Sequence, residues 1–262
     1  MGRASANQQM GRVLYSAMER FPGLRLADIR GGKFDNVICP RSEALAALPA
    51  GSGEEFQAFV REFDAILKNE YAGCDDGIAL TCERADLTAA LDAQTTSRML
   101  HVLLALPQGV QAMSADFPGL VQTSLNLGVM ALEGDGLHFS YAVRSSVASQ
   151  KAMLEQRVRS IVEHAGGRVD KRSEYPAWQY QRQSQLRDTV AGAYEAVYGR
   201  KGVIAGTHGG LECGLLMEKF PGMDAVSLGP ELHDVHSPRE RLNVPSTQRT
   251  YELVCEVLRR SR

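Results

Sequence analysis

Six histidines punctuate this chain, and three of them (His208, His233 and His236) fall within residues 206–238. That window reads THGGLECG (207–214) and then HDVHSPRER (233–241), which places imidazoles and carboxylates in loops after short strand-like runs. Such loops are where α/β sheets carry their sites. Zinc accepts imidazole and carboxylate ligands, so His236 could join His208, His233, Asp234 or Glu212 around a metal. An ordinary hydrogen-bonded or surface histidine is the competing reading at each position, and spacing alone does not separate the two. Gly209 and Gly210 would let the backbone approach a ligand closely. They are not a nucleotide loop, since no Gly-Lys-Ser/Thr ending and no GxGxxG follows a strand. Cys213 near His208 has no evident Asn or Asp to orient a cysteine–histidine pair, so it reads as a small core residue.

Two residues earlier in the chain have side chains suited to holding a ligand. In FSYAVRSSV (139–147), Tyr141 and Val143 alternate with Arg144, whose guanidinium would project from a sheet and could grip a carboxylate with two hydrogen bonds. The plain alternative is a surface ion pair. In KFDNVIC (33–39), strand alternation would put Asn36 on the face of Phe34 and Ile38, an amide among apolar neighbours that must find partners. The acidic pairs Glu54-Glu55 and Asp75-Asp76 read as a helix start and a turn rather than a metal site.

Several elements must position these residues. Amphipathic periodicity predicts helices over 4–18, 54–70, 85–106 and 147–164, and alternation predicts strands at 24–30, 33–39, 43–49, 77–83, 120–132 and 137–147. The last two strands flank an Asp-Gly turn at 133–136. The polar, glycine-bearing stretch 166–176 marks a boundary. Beyond it the expected order is helix (183–198), strand (203–207), helix (211–220), strand (225–228) and closing helix (246–260), a pattern of α/β logic. With only two or three strands, that part is expected to lean on strands outside the chain.

The composition is that of a globular protein: 262 residues, 44% hydrophobic and 23% charged, with a formal net charge of -2. The charge balance offers no broad attraction for nucleic acid or anionic lipid. No apolar stretch nears the roughly 20 residues of a membrane span, and the polar start MGRASANQQM is not a signal peptide. Five cysteines without a CxxC suit reduced thiols, so the expected location is cytoplasmic, with no nucleic-acid or membrane partner.

The segments HGGLECGLLMEKFPGMDAVSLGP (208–230) and DVHSPRERL (234–242) closely resemble the C-terminal end of the aminoacyl-histidine dipeptidases, also called Xaa-His dipeptidase, peptidase D or cytosol non-specific dipeptidase. GRASANQQMGRVL, LRLADIRGGKFDNVICPRSE, FPGLVQTSLNLGV, VRSS and YPAW extend the resemblance along the chain. It implies an α+β lid domain, an antiparallel sheet with helices, over residues 1–172, lacking its N-terminal segment. It implies the C-terminal part of an α/β zinc-peptidase catalytic domain over 173–262. It further implies that His236 is a zinc ligand, that Asn36 and Arg144 hold the dipeptide, with Arg144 on its carboxylate, and that Gly209, Gly210 and Glu212 form pocket wall. It implies two zinc ions in the complete enzyme. The family's other ligands, bridging aspartate and general-base glutamate have no counterpart here, so the chain is expected to be the C-terminal portion of a dipeptidase and inactive alone. A homodimer through the lid is a further implied partner. The reading from another class is a non-catalytic peptide-binding or dimerisation module.

Overall fold

The structure is a computed structural model that describes residues 2–134, 136–208, 211–235 and 237–261. The chain divides into two units, the first made of Met1–Met113, Thr123–Arg144 and Ser149–Arg172, the second of Ser114–Gln122, Ser145–Ala148 and Ser173–Arg262.

In the first unit, helix α1 (Ala6–Arg20) forms because Val13, Leu14 and Ala17 recur at helical spacing and bury together, while Arg20 sits at the negative end of the dipole. Helix α2 (Gly53–Glu70) opens on Glu54 and Glu55, which favour the positive end, and buries Phe59, Val60, Phe63 and Leu67. Helix α3 (Ala93–Ala105) is capped by Asp92, whose carboxylate accepts from the Thr95 N–H at 2.9 Å. It starts eight residues later than the periodicity suggested, because the hydrogen-bonded cap fixes the first turn there.

These helices cover a five-stranded sheet ordered β2-β1-β4-β3, with β5 also paired to β4; the strands are β1 (Arg25–Gly31), β2 (Ser42–Ala47), β3 (Gly109–Met113), β4 (Val121–Glu133) and β5 (Gly136–Ser145). β1 runs antiparallel to both β2 and β4. A register shift between Leu26 and Asp28 lets Leu26 and Ile29, three apart, both point inward. Both are fully buried, each contributing about 1.5–3 kcal/mol on transfer from water. Leu100 and Leu103 of α3, Leu127 and Met130 of β4 and the rings of Phe21, Phe59 and Phe63 complete the core. Helix α4 (Ala148–His164) closes the unit and is tied to β4 by the Thr123 hydroxyl donating to the Gln150 amide oxygen.

Two expected strands of this unit do not form, and one strand was unforeseen. Residues 77–83 are irregular: Ile78 and Leu80 still pack on the core, but the Leu80 N–H is taken by the Asp64 carboxylate at 2.8 Å instead of by a ladder. Residues 33–39 form a turn-bearing loop, described below. β3 follows Pro107 in GVQAM, where a five-residue apolar-polar run gave too little periodicity to register.

The second unit holds α5 (Gln185–Tyr198), α6 (Glu212–Lys219), the two-residue antiparallel pair β6 (Leu232–His233) and β7 (Arg241–Leu242), and α7 (Val244–Arg260). Ser184 caps α5, accepting from the Arg187 N–H at 3.0 Å, and Gly199 ends it at a φ of 66° that favours glycine. Asn243 caps α7 with a proline in its first turn. The strands expected at 203–207 and 225–228 are absent: these segments are irregular and join no sheet among the described residues. A strand needs a neighbour for its backbone groups, and none of the described residues supplies one. Val203 is accordingly 94% exposed. No described helix is long and apolar enough to cross a membrane.

Candidate functional site

In the first unit the sequence candidates sit on a short loop and on a strand end. Residues 32–39 are not a strand, and Asn36 is exposed in a turn rather than lying on a buried face with Phe34 and Ile38. Phe34 is 64% exposed, and Val37 and Ile38 also face solvent. The physical reason is that the loop's carbonyls are taken by a side chain. Asn126 of β4 donates through Nδ2 to the carbonyl oxygens of Asp35 at 2.7 Å and Val37 at 2.8 Å. Its Oδ1 accepts from Gln108 Nε2 at 3.0 Å, and Gln108 Oε1 in turn accepts from the Leu127 N–H at 2.6 Å.

Close backbone packing reinforces this hold. A Cβ added to Gly128 would lie 2.3 Å from the Phe34 oxygen, and one added to Gly32, at a φ of +78°, would lie 1.7 Å from the Gly128 oxygen. Only glycine permits that crossing. At the far end of the loop, Cys39 is fully buried; its thiol donates to Asn7 Oδ1 at 3.3 Å and to the Arg41 carbonyl at 3.1 Å, and burial pushes it up from its ordinary pKa despite those contacts. Asn7, also fully buried, donates to the carbonyls of Gly31 and Leu127. Sequence reasoning missed Asn126, Gln108 and Asn7. The available signal was an amide in the middle of the strand-like TSLNLGV, directly before a glycine.

On β5 the inward residues are Leu137, Phe139 and Tyr141, which pack on the core, and burial raises the Tyr141 phenol far above its ordinary pKa. Arg144 alternates to the exposed face, and no hydrogen bond or ion pair among the described residues engages it. A free guanidinium on a strand is able to take a carboxylate in a two-point contact.

In the second unit Glu212 opens α6 and is exposed, and Cys213 beside it is half-buried. His208 is half-buried just before the two glycines. His233 is exposed in β6 and lies opposite Arg241. Asp234 adopts a left-handed φ of 52°, tolerated by aspartate, while Arg241 Nη2 holds its carboxylate at 2.9 Å and its carbonyl accepts from Ser237 Oγ at 2.7 Å. Gly209, Gly210 and His236 lie outside the described residues. Among the described residues no group of three or more His, Cys, Asp and Glu side chains is gathered as a metal site.

A cavity of about 710 Å³ opens in this unit, lined by Phe117, Trp178, Tyr180, Tyr194, Tyr198 and Leu253 among others. None of the described sequence candidates lines it, and its walls include the α5 and α7 faces, residues near 117 and 180, and the segments near 203 and 226.

Residues 2–74 match the model of the peptidase dimerisation domain. The particular relatives extend the match. The cytosol non-specific dipeptidase of Escherichia coli strain K12 is 32% identical over 260 residues, 99% of this chain and 53% of that protein. The crystal structure of aminoacylhistidine dipeptidase from Vibrio alginolyticus superposes with a TM-score of 0.91 at 32% identity, again over 99% of this chain and 53% of the other. The chain thus spans about half the length of the relatives it matches, and the matched stretch is their C-terminal part. The resemblance to aminoacyl-histidine dipeptidases and the mixed α and β fold, antiparallel sheet with helices, are both borne out.

Proposed function

We propose that the chain works as the C-terminal portion of a zinc-dependent dipeptidase that hydrolyses Xaa-His and other dipeptides in the cytoplasm. The observation that carries this reading is the 0.91 superposition on a dipeptidase along 99% of the chain at 32% identity. Residues 1–172 act as lid and 173–262 as part of the catalytic domain. The lid pairs two subunits, in keeping with the dimerisation-domain match over 2–74.

The residues divide the work by their chemistry. Arg144, exposed and unengaged among the described residues, clamps the dipeptide's terminal carboxylate. Asn36, exposed on its clamped loop, offers an amide to the peptide group. Gly209, Gly210 and Glu212 form pocket wall, with Glu212 facing the substrate ammonium. His236 is the zinc ligand. Zinc, two ions in the complete enzyme, would supply Lewis-acid polarisation and a water of lowered pKa. The described donors do not by themselves fit that metal, since the Asp234 carboxylate is held by Arg241 and no cluster of three forms. This polypeptide alone is not expected to hydrolyse peptide bonds.

Calorimetric titration with alanyl-histidine and with its C-terminal amide tests the clamp. Arg144→Ala is expected to weaken the acid by about tenfold or more and to abolish its advantage over the amide, as loss of a charge-assisted pair requires. Equal affinity for acid and amide in the parent chain would overturn the assignment.

A further inference from the structure

We infer that Asn126 is a positioning residue whose side-chain amide holds Asn36 in a ligand-ready conformation; this rests on the reading that Asn36 contacts the dipeptide. The two carbonyls that Asn126 binds belong to Asp35 and Val37, the residues on either side of Asn36, at 2.7 and 2.8 Å. One primary amide therefore brackets the peptide unit that carries the candidate side chain and fixes the direction in which that side chain leaves the loop.

Three features make this more than ordinary loop packing. First, the Asn126 amide has a defined orientation: its oxygen accepts from Gln108, which leaves both N–H groups for the loop, and Gln108 is itself fixed by the Leu127 N–H. Second, Gly128 and Gly32 remove the side chains that would lift the loop off β4, so the strand and the loop backbone meet directly. Third, the loop is held in place while showing solvent an unusual set of groups. Phe34, Val37 and Ile38 are 64%, 48% and 44% exposed, and the Asn36 side chain makes no hydrogen bond among the described residues. A loop whose only task was to connect β1 to β2 would turn its apolar groups inward and its amide toward the backbone. This one spends its internal hydrogen bonds on rigidity and keeps its recognition groups outward, which lowers the entropy cost of engaging a ligand.

Asn126→Asp tests the claim with no change of volume, since it replaces the donating amide by acceptors facing two carbonyl oxygens. Asn126→Leu and Gln108→Leu are companions, and thermal unfolding confirms that each variant is folded. In the parent, the backbone order parameter of Asn36 from nitrogen relaxation should be near about 0.85, and in Asn126→Asp it should fall below about 0.6. Alanyl-histidine affinity should drop about tenfold in Asn126→Asp and in Asn36→Ala alike, and the double variant should be no weaker than either, because both act through one group. Unchanged loop order in Asn126→Asp, or additive losses in the double variant, overturns the inference. If Asn36→Ala binds the dipeptide as the parent does while the order parameter still falls in Asn126→Asp, the contact between Asn36 and substrate fails and the clamp alone stands, so the two ideas are separated.

Discussion

Asn7→Ala removes the side chain that joins α1, β1, β4 and the loop end at Cys39. In the parent the amide is fully buried, donates to the carbonyls of Gly31 at 3.3 Å and Leu127 at 3.2 Å, and accepts from the Cys39 thiol at 3.3 Å. It also occupies the space that glycine leaves at position 31, where a Cβ would come within 1.9 Å of Asn7 Oδ1. Each of the two lost carbonyl bonds is worth about 1 kcal/mol net, and leaving the acceptors dry raises this. The vacated volume adds roughly 1 kcal/mol more, so the expected loss is about 3 kcal/mol. At 2–4 °C per kcal/mol for a protein of this size, the midpoint of the first unit should fall by about 6–12 °C. Far-UV circular dichroism follows it, while the single tryptophan, Trp178, lies in the second unit and reports that one separately. Asn7→Asp, which keeps the shape but offers no N–H, should be at least as harmful at neutral pH. Burial beside two carbonyls would raise that carboxyl's folded pKa, so its cost should shrink as the pH falls through the raised value. A midpoint for Asn7→Ala within about 1 °C of the parent would refute the reasoning.

Three other outcomes are expected. In the second unit, burial pushes the Asp224 carboxyl upward, but the Leu186 N–H and the Ser184 hydroxyl hold it lower still, for a net depression. A depressed carboxyl stabilises above its unfolded pKa and ceases to do so as the pH drops through the folded one, so Asp224→Asn should flatten the acid limb of the Trp178 fluorescence transition; an unaltered limb contradicts this. Native alkylation with iodoacetamide followed by peptide mass mapping should label exposed Cys74 and spare Cys39, whose thiol is buried and pushed up; early labelling of Cys39 would count against the loop packing. Glu70→Gln breaks the two-point pair with Arg12, yet both side chains are over a third exposed, so urea denaturation should register less than about 1 kcal/mol, and a loss beyond 2 would show the pair to be far better shielded than its exposure implies.

The long elements were legible because a single face of each is buried. Val13, Leu14 and Ala17 in α1, or Phe59, Phe63 and Leu67 in α2, repeat at helical spacing because one side meets the core. The sequence also disclosed the antiparallel sheet with helices and the family likeness. It did not disclose where short apolar runs lack a ladder. KFDNVIC and GIALTCE alternate like strands, but their backbone groups are claimed by the side chains of Asn126 and Asp64, contacts between residues 89 and 91 apart in the first case and 16 apart in the second. VIAGT and AVSL are strand-like in composition, yet a strand exists only with a neighbour, and composition cannot supply one. The candidate site was legible in part: Arg144 reaches the exposed face that alternation predicted, whereas Asn36 is presented by a turn, and the amides that hold it lie far away in sequence.

Activity within a complete chain is the most direct test of the central claim. A chimera in which these residues replace the matching C-terminal part of the Escherichia coli dipeptidase should hydrolyse alanyl-histidine in the presence of zinc and lose that activity with Arg144→Ala or His236→Ala. A folded, zinc-loaded chimera that leaves the dipeptide intact, or one that works equally well without Arg144 and His236, would contradict the account.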